Sequence, residues 1–91
     1  MVGELIRLPQ EVQGLRDSVV DSYREDFPEE VVGSYLAGIY EHLQSALRLD
    51  TTGVITEEVV MNLYVMNLVG FLGDRAETLR KLADYSRSLR Q

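Results

Sequence analysis

The stretch that decides the fold is TEEVVMNLYVMNLVGFL, residues 56–72. Thr56 followed by Glu57 and Glu58 is typical of a helix start, because the hydroxyl can cap a backbone N–H and the acids complement the positive end of the helix dipole. Beyond these residues the stretch is apolar on nearly every side, whereas an ordinary surface helix has one apolar stripe. Such a helix must be enclosed, either by the rest of the chain or by a second polypeptide.

The length and composition of the chain exclude several classes of site. Its 91 residues predict a single helical domain, 1–91, of marginal stability unless it associates. The sequence has no cysteine, so it forms no disulfide and has no thiol chemistry, and the one histidine, His42, cannot build a histidine-rich metal site. No spacing of polar residues indicates an active site. We therefore expect no enzyme activity, no cofactor and no metal.

The net charge of −6 belongs to the first half of the chain. Residues 1–50 hold four arginines against ten acids, whereas residues 51–91 hold five bases and five acids. A nucleic-acid surface needs a dense basic face, and only the last stretch, from Arg75 to Arg90, could offer one. The distribution of charge therefore argues against nucleic acid as a partner.

No membrane segment is expected. The sequence does not open with a basic segment followed by an apolar run, and its longest apolar stretch is shorter than the roughly 20 residues that a spanning helix needs. These features favour a cytoplasmic protein.

Apolar periodicity predicts an all-α fold, an antiparallel bundle of three long helices at about 9–26, 28–49 and 56–72. Residues 28–49 carry an apolar stripe with steps of three and four, and the pre-proline effect at Pro28 limits the helix before it. A terminal helix at about 74–90 follows. The apolar stripe crosses Gly73 in register, so one continuous helix stays open, but Gly73 and the Asp-x-x-Glu pair after it favour a bend or break.

The up-down-up order of these helices predicts where the acidic and basic segments lie relative to each other. It places the acidic turn around Phe27 and Pro28 at the end where the basic last segment begins, so opposite charges should meet there. Residues 1–8 are expected to be irregular or a short extended arm.

The aromatic residues point to a protein–protein interface. Helices two and three each carry more apolar circumference than one stripe requires, and tyrosine and phenylalanine are favoured at interfaces because they bury large areas with little entropy loss. Asn62 and Asn67 flank the otherwise apolar third helix, and buried polar groups of this kind can set the register between helices. We expect a small interaction module, a regulator, adaptor, chaperone or assembly subunit, that forms a homodimer or higher oligomer. The predicted interface residues are Tyr35, Ile39, Tyr40, Leu43, Tyr64, Val65, Leu68 and Phe71.

The opening GELIRLPQEV, residues 3–12, supports an alternative, because it resembles the ribbon-helix-helix family. In that family a short strand runs into a helix at a similar leucine-proline junction, and two chains pair their strands in the DNA major groove. The resemblance covers about the first 45 residues. It implies a dimeric DNA-binding regulator in which Gly3, Leu5 and Arg7 face the DNA, with Arg7 as the useful contact and Glu4 pointing inward.

The loop DTTGVITEE, residues 50–58, resembles the second half of an EF-hand calcium loop, with Gly53 at the sharp turn. Arg48 and Val59 occupy the positions of the first carboxylate and the last glutamate. We therefore interpret the segment as a turn that joins two helices.

Overall fold

A computed structural model describes residues 8–90 of the chain. Within this range 78% of the residues are helical and none forms a strand, and the four helices pack against one another. This confirms the all-α prediction. The helices are α1 (Gln10–Ser22), α2 (Glu29–Leu49), α3 (Glu57–Gly73) and α4 (Arg75–Ser88).

The predicted arm at residues 1–8 and the ribbon strand lie outside the described residues, apart from Leu8. Across residues 8–90, no helix has both the length and the apolarity needed to cross a bilayer.

Helix α1 ends at Ser22, earlier than the predicted end at residue 26. Tyr23 leaves the helical conformation with φ −114° and ψ 10°, and the Phe27 N–H closes a turn on the Tyr23 carbonyl at 3.0 Å. The ring of Tyr23 is buried, and its hydroxyl donates a hydrogen bond to the Phe71 carbonyl of α3 at 2.5 Å. Pro28 disfavours the helical conformation at the residue before it, so it limits how far α1 could extend. The hydrogen bond that holds Tyr23 against α3 ends the helix before that limit.

The predicted break near Gly73 is confirmed, since α3 ends at Gly73 and α4 begins at Arg75. The residue between them, Asp74, has extended-type ψ of 86°, and its carboxylate accepts the Glu77 N–H at 3.1 Å. Such a side-chain cap satisfies a free N–H of a new helix. Gly73 does not adopt a positive φ; among the described residues Gly53, at +79°, is the one that does. The helices are therefore separated at the capping Asp74, and Gly73 contributes no left-handed turn.

Helix α3 packs against each of the other three helices. Its inner face, which we define as Val60, Tyr64, Leu68 and Phe71, is buried in the core. The ring of Tyr64 meets that of Tyr40 edge-on, with centroids 5.1 Å apart. The other buried apolar residues are Leu8, Val12, Val19, Val20, Tyr23, Val32, Leu36, Tyr40 and Leu82.

Opposite charges meet where α1 ends and α4 begins, as the sequence predicts. Arg75 lies 2.7 Å from Asp26, donates to the Ser22 carbonyl at 2.8 Å and stacks 4.8 Å above the ring of Tyr23. Both charged groups are substantially exposed, so the ion pair is worth about 0.2–1 kcal/mol. The ion pair therefore orients the start of α4 but contributes little to its stability.

The loop between α2 and α3 is organised by Asp50. Its carboxylate accepts hydrogen bonds from the Thr52 hydroxyl at 2.6 Å, the Thr52 N–H at 3.0 Å and the Ile55 N–H at 2.8 Å. The Thr52 hydroxyl and then the Ile55 N–H hold the pKa of Asp50 at about 2, below its usual 3.8. The carboxylate thus serves as the hydrogen-bond acceptor of a turn that joins two helices.

Replacing Tyr23 by Phe should destabilise the protein by about 1–2 kcal/mol, because it leaves the buried Phe71 carbonyl in the last turn of α3 without its donor. Urea unfolding measures this change. Tyr85→Phe is the matched control, since the Tyr85 hydroxyl bonds Ser34 at an exposed site and its loss should cost less than about 0.5 kcal/mol. Equal losses in the two variants would contradict the anchoring role of Tyr23.

Asp50→Asn should destabilise the protein at neutral pH, because an amide cannot replace both acceptor oxygens of the carboxylate. The folded-state pKa of Asp50 lies below its unfolded value, so its stabilisation is complete above pH 4 and disappears as the pH falls through about 2. The difference in melting temperature between wild type and variant should therefore shrink between pH 4 and pH 2. The exposed Glu25, changed to Gln, is the control, and a difference that stays constant over this range would refute the assignment.

Candidate interaction surface

The predicted interface residues divide into two groups. Tyr40, Tyr64, Leu68 and Phe71 are buried by their own chain. Because an enclosed side chain has no surface left for a partner, the fold gives these four an intramolecular role. The other four, Tyr35, Ile39, Leu43 and Val65, are half-buried and pack against the core. Contact of this second group with a partner stays a prediction.

Tyr35 links three helices through its ring. Its centroid lies 5.8 Å from that of Phe71 on α3 and 5.0 Å from that of Tyr85 on α4. Beside this cluster is an open pocket of about 430 Å³, lined mainly by α2 residues together with Asn67 and Tyr85. Nothing in the sequence pattern singles out Tyr85, because the rest of α4 is strongly polar.

The polar groups of Tyr64 on α3 and Arg16 on α1 are enclosed together between the helices. Burial raises the pKa of Tyr64, and the positive charge of Arg16 opposes that rise. The Tyr64 hydroxyl and the Arg16 Nε are both buried, and neither has a partner at full hydrogen-bond geometry within residues 8–90, although the Arg16 guanidinium lies close enough to the hydroxyl to lower its pKa. Arg16 reaches this position by passing Gly33 of α2, where an added Cβ would lie 3.2 Å from its Nη2 atom. The absence of a side chain at Gly33 therefore admits the guanidinium.

The accessible apolar surface of α3 lies on the side opposite its aromatic residues. We define the outer stripe as Val59, Leu63, Met66, Val69 and Leu72, which recur at steps of three and four and have exposed fractions between 36% and 67%. The sequence from residue 59 to residue 73 contains no charge. The outer stripe is therefore an uncharged, mainly aliphatic surface along the helix, with the exposed amide of Asn62 beside Met66.

The predicted interface residues of α3 lie mainly on its aromatic stripe, whereas the apolar residues that the chain leaves exposed lie on its aliphatic stripe. Two apolar stripes run along α3, one with tyrosine and phenylalanine and one with valine, leucine and methionine. The aromatic side chains bury more area per residue, so the aromatic stripe faces the core. The larger area of the aromatic side chains is thus the signal in the sequence that distinguishes the core-facing stripe from the outer stripe.

The two asparagines of α3 are exposed in the described chain, so their burial against a partner stays a prediction. The Asn67 amide donates to the Leu63 carbonyl of its own helix at 2.8 Å. Their side chains therefore border the apolar surface of α3 and do not interrupt its core face.

A groove of about 350 Å³ runs between α3 and α4 beside the outer stripe. Leu63, Met66 and Gly70 line its α3 side, and Lys81 lies on its α4 side. At Gly70 and at Gly73 no atom outside the glycine's own neighbourhood lies within 4 Å of the position of a Cβ. A second helix could therefore approach the backbone closely at this end of α3.

The basic residues of α4 do not form a free cationic face. Arg80 lies 2.6 Å from Glu77, and Arg87 pairs with Asp84 one turn away. These pairs within α4 engage two of its four basic residues, Arg75 pairs with Asp26 outside the helix, and Lys81 is the remaining base.

Comparison of this chain with protein-family models, with curated protein sequences and with solved structures found no match. Residues 8–90 contain no group of three or more histidine, aspartate or glutamate side chains arranged to hold a metal ion. The outer stripe is the most distinctive surface of the described chain.

Tyr64→Phe should leave the protein as stable as the wild type or raise its free energy of unfolding by up to about 1 kcal/mol, because it removes a buried hydroxyl that has no partner. Urea unfolding gives the value, and Tyr23→Phe is the contrasting variant because its hydroxyl is bonded. A loss above 1 kcal/mol on Tyr64→Phe would mean that the Tyr64 hydroxyl is hydrogen-bonded after all.

Proposed function

We propose that the chain is a small protein–protein interaction module that self-associates through the outer stripe of α3. The observation that carries this proposal is the run of exposed aliphatic side chains on an uncharged helix face. Single exposed apolar residues are ordinary, whereas a contiguous apolar patch usually marks a contact with another molecule. The regulator, adaptor, chaperone and assembly roles all remain within this proposal.

Association also supports the fold energetically. A chain of 91 residues has a small core, and covering further apolar surface adds roughly 25 cal/mol per Å² removed from water. The outer stripe is the surface where such a gain is available without desolvating a charge. A partner at this face would thus stabilise α3 from the side that its own chain leaves open.

The finer architecture belongs to the same proposal. Short connections at residues 23–28 and 50–56 favour antiparallel neighbours, and the hydrogen bond from Tyr23 to Phe71 joins the ends of α1 and α3. These contacts support an up-down-up arrangement in which α2 runs antiparallel to both α1 and α3, with α4 as the added terminal helix. The cytoplasmic location expected from the sequence is also part of the proposal.

The proposal predicts that the full chain sediments as a dimer or higher oligomer at micromolar concentration. Met66→Glu should weaken association at least about 30-fold, because each copy would bury an unpaired carboxylate in the contact. Val54→Glu is the matched control, since Val54 is as exposed as Met66 but lies in the loop before α3. Analytical ultracentrifugation measures both variants. A wild-type chain that stays a 10.3 kDa monomer into the high micromolar range would overturn self-association.

A further inference from the structure

We propose that the molecule covering the outer stripe is a second copy of this chain, whose α3 packs antiparallel to the first about a two-fold axis at Met66. This inference rests on the proposed function and specifies its partner and geometry. Met66 is the central member of the outer stripe, with Val59 and Leu63 before it and Val69 and Leu72 after it. It also has the highest exposure in the outer stripe, 67%, and a methionine side chain adapts readily to contact with its own copy.

The shape of this face is self-complementary in the antiparallel sense. Its first half carries the side chains of Val59 and Leu63, and its second half contains Gly70 and Gly73, beside which there is open space. In a two-fold contact the same patch must fit itself. Antiparallel pairing at Met66 places Val59 opposite the partner's Gly73 and Leu63 opposite the partner's Val69. In both of these pairs the bulkier side chain meets the smaller one, and Met66 meets its own copy at the axis.

Parallel pairing would fit the same residues poorly. Each residue would face its own copy, so Leu63 would crowd against Leu63 while the two Gly70 positions left a gap. Cores and interfaces pack at similar density, and unfilled space loses dispersion contacts. Parallel pairing would also bring together four carboxylates, those of Glu57 and Glu58 in both copies.

The charges of the chain favour a second copy in the antiparallel orientation. The acidic excess lies in residues 1–50, whereas residues 51–91, which include α3 and α4, are neutral. A copy that approaches the outer stripe therefore meets the neutral half of the molecule. Antiparallel pairing separates the two acidic helix starts by the length of α3, about 24 Å at 1.5 Å per residue, and aligns the helix dipoles in opposite directions.

The groove between α3 and α4 offers space for a side chain of the second copy. It is lined by Leu63, Met66 and Gly70, so a side chain projecting from the second copy near the axis has about 350 Å³ to enter. Its lining carries both signs of charge, the acids Asp74 and Glu77 and the base Lys81, and the two copies therefore do not present a single repelling sign to each other. Helices packed in this way lie about 8–10 Å apart.

Disulfide trapping in the full chain tests this geometry, because the sequence contains no cysteine and each variant has only the thiol that is introduced. Met66→Cys should form a covalent dimer under mild oxidation. Leu63→Cys and Val69→Cys should each remain monomeric when oxidised alone and cross-link when the two variants are mixed. The reason is distance: the two copies of residue 63 are displaced by about 9 Å along the axis, beyond the Cα separation of about 7 Å that a disulfide tolerates.

Val54→Cys is the control for random collision, since Val54 is exposed but lies off the stripe. The mixed Leu63 and Val69 variants should give at least about 10-fold more dimer than this control. Far-ultraviolet circular dichroism and melting temperature identify any variant that has lost the fold. Met66→Gln provides a second measurement, since it adds an uncharged polar group at the axis and should weaken association less than Met66→Glu does.

The outcomes separate the two proposals. Self-cross-linking of Leu63→Cys and Val69→Cys, with a dimer in sedimentation, would overturn the antiparallel axis and leave self-association standing. A dimer in which none of the stripe cysteines cross-links would place the contact elsewhere and overturn the inference. A monomer whose Met66→Cys thiol reacts slowly with a thiol reagent would show that another part of the same chain covers the stripe, and it would overturn both proposals.

Discussion

Every other helix in residues 8–90 packs against α3, so the structure depends on the enclosure of its inner face. Val60, Tyr64 and Leu68 are almost completely removed from water, and Phe71 nearly so. Burial of such side chains contributes roughly 1.5–3 kcal/mol each relative to an exposed position. No other helix of the described chain places four apolar residues in the core. The remaining helices are arranged around this requirement.

Much of this fold could be predicted from the sequence. Thr56 and Asp74 are local signals, since each hydroxyl or carboxylate caps an N–H three residues later, and the predicted helix starts follow from them. The apolar stripe of α2 is similarly local. The end of α1 was not predictable, because it depends on a hydrogen bond between Tyr23 and Phe71, 48 residues apart in the chain. Local patterns carry no information about such a contact.

The candidate surface was harder to predict than the fold. The sequence identifies α3 as a helix with too much apolar circumference, and the structure has exposed aliphatic residues on it. Which side faces outward depends on how α1, α2 and α4 are placed around it, and periodicity does not give that placement. Tyr64 illustrates the difficulty, because its hydroxyl suits an interface but its ring lies in the core with no partner for that hydroxyl.

The small core contribution of α4 has a consequence for the dynamics of the molecule. Only Thr78 and Leu82 of this helix are buried, and its charged residues pair mainly with one another. A helix whose ion pairs are internal keeps them when it detaches, so detachment gives up the two buried side chains, the contacts of Tyr85 with Tyr35 and Ser34, and the clamp at Arg75. Partial opening of a folded chain starts where the fewest contacts are given up. The carboxyl-terminal helix is therefore the segment that separates first, while the three-helix remainder stays intact around α3.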